Sequence, residues 1–198
     1  MFRNYVEPAP PANDEAPRRF SRPIYRKLWP GEGDLLRGHL TRLDREERTF
    51  RFGYAVSDER IADYCASTDW LGTVVLAAEI DGTMRAAGEL KVIEGSRPSA
   101  AELALSVERR FDGHGIGSEI FQRLLVIARN RGIRRIVILC LAENDRMRRI
   151  ASKAMPALRF LGDQVEGEIA LAPLTPLSLG DELYNDCWAA LRLLGAAA

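Results

Sequence analysis

Three glycines alternate with other residues directly before a segment that has the apolar spacing of a helix. They are Gly113, Gly115 and Gly117, within the stretch "RRFDGHGIGSEIF". A glycine turn that leads from a strand into a helix places several backbone N–H groups, and the positive end of the helix dipole, around one point. This arrangement indicates a binding site for a phosphate or pyrophosphate group.

Three kinds of phosphate-binding turn compete for this stretch. The Walker type is excluded because neither Lys-Ser nor Lys-Thr follows the last glycine. The dinucleotide type would use Gly113 and Gly115, but Ser118 stands in place of its third glycine, and the preceding strand alternates in hydrophobicity. A nucleotide-binding α/β domain therefore stays open as an alternative to the third type, which binds the pyrophosphate of coenzyme A.

The segments around the turn predict a mixed sheet. Asp81 and Gly82 form a two-residue link between "TVVLAAEI" and "TMRAAGELKVI", which predicts a tight antiparallel hairpin, and the alternating "AELALSV" predicts a third strand. After the helical "IGSEIFQRLLVIARNRG", the apolar run "IRRIVILCL" is typical of a strand that is covered on both faces and reached through a crossover helix. The sheet is therefore expected to be mixed and mainly antiparallel.

Shorter segments complete the expected order. A first strand in "IYRKL" precedes one helical stripe in "GDLLRGHLTRLDREE", on which His39 is expected to pack, and Ser57 caps a short helix. Cys140 reads as a small buried residue, Asn144 caps a further helix, and "LRFLGD" and "VEGEIAL" read as two closing strands. The terminal segment carries one apolar stripe: Leu183, Cys187, Trp188, Leu191 and Leu194. This stripe is expected to pack on the sheet or on a second subunit, which leaves a homodimer open.

Composition narrows the class of protein. Hydrophobic residues make up 46% of the 198 residues, enough for one domain with a sizeable core. The 28 basic and 28 acidic residues cancel, so there is no general attraction to nucleic acid or to an anionic membrane. The three cysteines have neither the spacing of a zinc site nor that of a disulfide framework. With no signal peptide or spanning segment apparent, we expect a soluble cytoplasmic protein without a metal.

The chain is expected to divide into three parts. Residues 1–22 form a proline-rich mobile arm, residues 23–175 form the domain, and residues 176–198 form a C-terminal amphipathic helix.

The stretch "LSVERRFDGHGIGSEIFQRLLVIARNRGIRRIVILCLAEN" resembles the GNAT superfamily of N-acyltransferases. The motif of that superfamily is a strand, an R/Q-x-x-G-x-G/A turn, a helix, and a strand that ends near an asparagine. Gly115 and Gly117 match the two family glycines, and Asn144 matches the asparagine. "LTRLDREERTFRF" and "AELALSV" are further similar to the bacterial protein-lysine acetyltransferase group within the superfamily.

The resemblance implies an α/β domain of the α+β type and the transfer of an acetyl group from acetyl-CoA to an amine. The subgroup implies a protein lysine as the acceptor, while a small-molecule amine and a non-catalytic acyl-CoA-binding regulatory module stay open as alternatives. Two positions depart from the family. Asp112 stands where the family has arginine or glutamine, and Ala151 stands where many relatives have a tyrosine that protonates the leaving thiolate.

Roles for individual residues follow from the same resemblance. A lysine amine, with a pKa of about 10.4, must lose a proton before it attacks a thioester. The resemblance implies Glu102 as the general base, with Glu79 and Glu89 as substitutes, a backbone N–H of Leu105 as the donor to the oxyanion, and the main chain of Val107 as the partner of the pantetheine amide. The residues implied to bind the rest of the coenzyme are Asp112, Gly113, His114, Gly115, Ile116, Gly117, Ser118 and Asn144.

Overall fold

The computed structural model describes residues 20–154 and 158–196. Within these residues, the chain forms seven strands and six α-helices. The strands are β1 (Ile24–Lys27), β2 (Thr73–Ile80), β3 (Thr83–Ile93), β4 (Ala100–Val107), β5 (Arg135–Leu141), β6 (Leu158–Leu161) and β7 (Gln164–Ala170). The helices are α1 (Gly33–Arg42), α2 (Arg45–Phe52), α3 (Asp58–Ala66), α4 (Ile116–Asn130), α5 (Asp145–Ser152) and α6 (Pro176–Ala196).

The sheet has the order β1-β2-β3-β4-β5-β7-β6. Neighbouring strands are antiparallel except for β4 and β5, which are parallel and are joined by the crossover helix α4. The predicted hairpin is confirmed, because Asp81 and Gly82 have φ angles of 51° and 70° between β2 and β3, as a type I′ turn requires. The prediction of a mixed, mainly antiparallel sheet in an α/β domain is therefore confirmed.

Helices cover both faces of the central strands. On one face, α4 buries Phe121 and Leu124 against β2, β3 and β4, and on the other face α1 and α3 bury Leu36 and Ile61. The expectation that β5 is covered on both faces is wrong, because Leu139 in its middle is 50% exposed. Only every second residue of β5 is buried in the core, so its unbroken apolar run does not mean that both faces of the strand are covered.

The segment that begins with "GDLLRGHLTRLDREE" forms two helices, α1 and α2, where a single helical stripe was expected. α1 ends at Arg42, and Asp44 begins α2 with a reciprocal capping box: its carboxylate accepts the Glu47 N–H at 2.9 Å, and the Glu47 carboxylate accepts the Asp44 N–H at 2.7 Å. Two backbone donors are satisfied at this point, which stabilises a new helix start. The expectation of a single helical stripe is therefore wrong.

The two ends of the chain contact the domain in different ways, the N-terminal end through an aromatic ring and α6 through polar side chains. Residues 1–19 of the expected arm lie outside the described residues, but Phe20 already packs edge-on against Phe111, with ring centroids 5.2 Å apart. α6 lies beside α4 and β1 through polar contacts: the Asn130 side-chain amide donates to the Ser178 carbonyl at 2.8 Å, and Lys27 forms an ion pair with Glu182. The apolar stripe of α6 is exposed to solvent, so it does not pack on the sheet.

Candidate active site

The sheet opens where β4 and β5 stop pairing. Their register runs only from Ala100 to Glu102 on β4 and from Arg135 to Val137 on β5. Beyond this point, a cleft of about 640 Å³ lies beside the second half of β4 and reaches the first turns of α4 and α5. Polar backbone groups of β4 that no longer bond to β5 are therefore placed at the cleft.

The register of β4 decides which backbone groups face the cleft. The N–H of Glu108 donates to the carbonyl of Arg85 at 3.0 Å, so this residue is bonded to the β3 side. Because hydrogen-bonding direction alternates along an antiparallel strand, Leu105 and Val107 direct their N–H and C=O groups away from β3. Both residues line the cleft. Their main chains therefore offer donors and acceptors to a bound molecule.

The glycine turn forms one end of the cleft. Gly115 has a φ of 80° and is the N-cap of α4, so the chain enters the helix in a left-handed conformation that favours glycine. The N–H groups of Ile116, Gly117 and Ser118 come within the first turn of α4, where no carbonyl of the helix accepts them, and all three residues line the cleft. These donors and the helix dipole suit a phosphate oxygen.

Gly117 contributes in a different way, because neighbouring elements approach it closely. A Cβ atom at this position would lie 3.3 Å from Cδ1 of Ile150 and 3.4 Å from Cγ2 of Val107. The glycine therefore allows α4, α5 and β4 to meet at the bottom of the turn.

Basic side chains balance the one carboxylate of the turn. Asp112 lines the cleft, and its Oδ2 lies 2.5 Å from Nε of Arg146 on α5. Arg149 and Lys153 also line this side of the cleft. The ion pair neutralises Asp112, so the carboxylate that stands in the family's arginine or glutamine position does not repel an anion as a free charge.

Asn144 joins the same end of the cleft. Its Oδ1 accepts the N–H of Met147 at 3.0 Å, which caps α5 as the sequence predicts, and the residue lines the cleft. The structure thus brings nine predicted site residues to one cleft: Leu105, Val107, Asp112, Gly113, Gly115, Ile116, Gly117, Ser118 and Asn144.

Two predicted site residues lie outside the cleft lining. His114 is exposed, with Nδ1 2.8 Å from the carbonyl oxygen of Asp112 and its ring against Phe20. Glu102 is also exposed, and it is the last residue of β4 that pairs with β5. Alternation along the strand places Glu102 on the same sheet face as Ser106, opposite α4.

The substitutes for Glu102 are both held in ion pairs. Glu89 is 4% exposed, forms an ion pair with Arg51 and accepts the hydroxyl of Tyr64 at 2.6 Å. Glu79 lies 2.7 Å from the guanidinium of Arg26. Both carboxylates are therefore already paired with a cation.

The second wall of the cleft comes from α2, whose residues no sequence motif links to the site. Glu47, Phe50 and Arg51 line it. Burial raises the pKa of Glu47, and its Oε1 is buried with no hydrogen-bond partner among the described residues. The Asp-x-x-Glu spacing from Asp44 to Glu47 is a capping-box signature, which could have located this helix start from the sequence.

A buried polar chain leads away from the cleft at Ser106. The Ser106 Oγ lies 2.9 Å from Nε2 of His39, and Nδ1 of His39 lies 3.3 Å from Oε1 of Glu108. Burial lowers the pKa of His39, whose side chain is completely inaccessible. Burial acts to raise the pKa of Glu108, but hydrogen bonds from His39, Arg42 and Arg85 outweigh it and hold that pKa below its ordinary value. His39 packs as expected, but its polar partners were missed.

The described part of the chain contains no group of three or more His, Cys, Asp or Glu side chains placed to hold a metal ion. Within the same residues, no helix combines the length and the apolar character needed to cross a membrane.

The profile of the Acetyltransferase (GNAT) family matches residues 39–155, which include the glycine turn, α4, β5 and α5. The chain belongs to the GNAT family. It is therefore an acyl-CoA-dependent N-acetyltransferase, and its cleft lies within the matched segment.

Solved structures share the fold of this GNAT acetyltransferase. The GNAT domain of S. lividans PAT has a TM-score of 0.64 and 22% identity, over 80% of this chain and 99% of that chain. The structure of yncA from Salmonella typhimurium with its cofactor acetyl-CoA has a TM-score of 0.58 and 16% identity, over 78% and 97%. The PaiA N-acetyltransferase from Thermoplasma acidophilum in complex with coenzyme A has a TM-score of 0.56 and 19% identity, over 76% and 99%.

Proposed function

We propose that this GNAT acetyltransferase transfers the acetyl group of acetyl-CoA directly to the amine of a protein lysine. The observation that carries the proposal is the meeting of two sets of backbone donors in one cleft, those at the start of α4 and those of Leu105 and Val107 on β4. The first set suits the pyrophosphate of coenzyme A, and the second set suits its amide-containing arm and the thioester.

The residues of the cleft fit the parts of acetyl-CoA in order along its length. The amides from Ile116 to Ser118 would hold the pyrophosphate, and Arg146 would keep the nearby Asp112 carboxylate paired. The main chain of Val107 would hold the pantetheine amide by strand-like hydrogen bonds. The N–H of Leu105 would donate to the thioester oxygen, where negative charge develops during attack.

The acceptor side of the cleft is the sheet face opposite α4, where α2 forms the wall. Protein lysine is supported by the resemblance of "LTRLDREERTFRF", which forms the end of α1 and α2, and of "AELALSV" on β4 to the protein-lysine group. A small-molecule amine is the second candidate. We expect that selection depends on the first helices and on residues 95–99.

Glu102 is proposed as the general base. Its carboxylate is exposed on the acceptor face at the end of the β4–β5 pairing, so it can exchange its proton with water after each turnover. Glu47 is the structural competitor, because it lines the cleft with a raised pKa and an unpaired oxygen. Replacing each glutamate by glutamine removes the base while keeping the shape of the side chain.

The test is release of coenzyme A thiol from acetyl-CoA with a panel of lysine peptides and small amines. We expect turnover of lysine peptides, and we expect Glu102→Gln to slow it by about a hundredfold or more, with partial recovery at high pH, as is usual for loss of a general base. Glu47→Gln is the matched control and should retain most of the rate. Activity on small amines alone would refute the lysine acceptor, and a large loss in Glu47→Gln alone would move the role of base to α2.

A further inference from the structure

Ser106, His39 and Glu108 form a hydrogen-bonded chain that starts at the cleft and ends in the interior. Ser106 lines the cleft on the acceptor face and is 7% exposed. His39, from α1, lies between the other two, at 2.9 Å from the Ser106 hydroxyl and 3.3 Å from the Glu108 carboxylate. This order of hydroxyl, imidazole and carboxylate is the one that moves a proton in hydrolases of unrelated folds.

The charges around His39 decide which ring nitrogen carries the proton. Glu108 accepts from Nε of Arg42 at 2.8 Å and pairs with Arg85 at 3.0 Å, so two cations keep it ionised. An ionised carboxylate accepts the N–H of Nδ1, which leaves the lone pair of Nε2 facing Ser106. The Ser106 hydroxyl then donates to Nε2, and its oxygen lone pairs are left for a molecule in the cleft. Glu89 is the other acidic group that acts on His39, at longer range.

We propose that Ser106 and His39 relay a proton from the attacking amine to the coenzyme A thiolate. The inference rests on the proposed acetyl transfer and assigns it a second proton path beside Glu102. A lysine ammonium loses two protons when it becomes an amide. Glu102 takes the first proton before attack, and the relay takes the second one from the tetrahedral adduct.

The step balances within the site. The amine nitrogen bonds to the carbonyl carbon, and an N–H proton of the adduct passes to the Ser106 oxygen while the Ser106 hydroxyl proton passes to Nε2 of His39. The carbon–sulfur bond breaks, and its electron pair leaves on sulfur. The proton then returns through Ser106 to the thiolate, so coenzyme A leaves as a thiol and His39 is neutral again.

The return of the proton is favourable in this protein. Burial lowers the pKa of His39 from 6.5, whereas a thiol has a pKa of about 8.5, so the imidazolium is the stronger acid. The position of the family's acid-donating tyrosine is Ala151, which is fully buried and has no proton to give. The relay therefore supplies an acid from β4, whereas the Ser152 hydroxyl on α5, which also lines the cleft, donates to the carbonyl of Arg149 at 3.2 Å.

A pair of variants with nearly the same shape tests the hydroxyl. Ser106→Thr keeps the donor and Ser106→Val removes it, and both are β-branched residues that suit a strand. We expect Ser106→Val to lower kcat by about a hundredfold at unchanged affinity for coenzyme A, as for loss of a proton-transfer group, and Ser106→Thr to retain activity. Ser106→Ala serves as a second hydroxyl-free variant where the larger side chains disturb folding, which thermal unfolding reports. Equal rates of the hydroxyl-free and hydroxyl-bearing variants would overturn the relay.

His39 is tested by a change that keeps its hydrogen bonds. In His39→Gln, the side-chain amide can donate to Glu108 and accept from Ser106, but it cannot take a proton, so kcat should fall as in Ser106→Val. Nitrogen NMR of the wild type should show a neutral ring protonated at Nδ1, and a ring protonated at Nε2 would refute the assignment without any activity measurement. A mass increase of one acetyl group on Ser106 during turnover would refute it in favour of a covalent intermediate.

These results separate the relay from the proposed acceptor. The relay is measured with whichever amine the wild type acetylates, so inactivity on lysine peptides alone overturns only the acceptor proposal. Inactivity of the wild type on every amine overturns both.

Discussion

Gly115→Ala, compared with Gly132→Ala, separates backbone strain from ligand binding at the two ends of α4. Both glycines have left-handed φ angles, 80° and 73°, and an added Cβ would meet no atom within 4 Å at either position. Only Gly115 lines the cleft. The two substitutions therefore impose a similar strain, and only one of them changes the proposed phosphate site.

The expected magnitudes follow from this geometry. A residue other than glycine in the left-handed region costs about 1–2 kcal/mol, which corresponds to a fall in Tm of about 2–8 °C for a chain of this size. If the turn relaxes to relieve that strain, at least one amide at the start of α4 is no longer aimed at the phosphate. A hydrogen bond to a charged group contributes about 1.5–3 kcal/mol, so coenzyme A should bind Gly115→Ala about ten- to a hundredfold more weakly.

Two measurements on the same samples check this prediction. Thermal unfolding should show similar losses of stability in both variants, and calorimetric titration with coenzyme A should show a loss of affinity in Gly115→Ala alone. If Gly115→Ala is destabilised like Gly132→Ala but binds coenzyme A with the affinity of the wild type, the glycine turn does not hold the pyrophosphate.

Three further predictions concern charge, pH and the C-terminal helix. Arg146→Ala should weaken coenzyme A binding by about tenfold or more, because it leaves Asp112 unpaired beside the phosphates. Arg148→Ala changes the same helix outside the cleft lining and should leave the affinity unchanged. Equal affinities of the two variants for coenzyme A in calorimetric titrations would refute the role of the ion pair. The folded state should lose stability as the pH falls below about 6.5, because the histidine of the unfolded chain then binds a proton that buried His39 excludes. The free energy of unfolding of His39→Gln, measured with urea, should therefore fall less steeply with decreasing pH in that range than that of the wild type. Deleting residues 178–198 should lower Tm because it removes the polar contacts of α6 with α4 and β1, and an unchanged Tm would show that α6 is not part of the packed fold. An unchanged oligomeric state in solution would show that α6 does not hold a homodimer together.

The glycine turn before α4 could be predicted because its requirements are local. Positive φ angles, free amides and a helix start all depend on residues within a few positions of Gly115, and the glycine pattern shows them directly. The same holds for the hairpin at Asp81 and for the cap at Asn144. Each of these features needs particular residue types at a fixed spacing, so a pattern in one chain is sufficient to indicate them.

The separate start of α2 was also present in the sequence but was not recognised. Asp44 and Glu47 have capping-box spacing, but the apolar periodicity of the preceding helix extends to Leu43 and obscures the break. The exposure of Leu139 could not be foreseen in this way. An apolar run fits a strand covered on one face or on both, and only the placement of helices decides between them.

By itself, the sequence determined the order of the elements, the glycine turn and the family resemblance, because these depend on spacing along the chain. The partners of the side chains were decided only by the tertiary structure. His39 lies 69 positions from Glu108 and 67 from Ser106, and the packing of α1 on the sheet is what brings them together. Asp112 and Arg146 meet because α4 and α5 begin at the same end of the sheet. Such contacts depend on the distances between elements, and no local pattern of residue types records those distances.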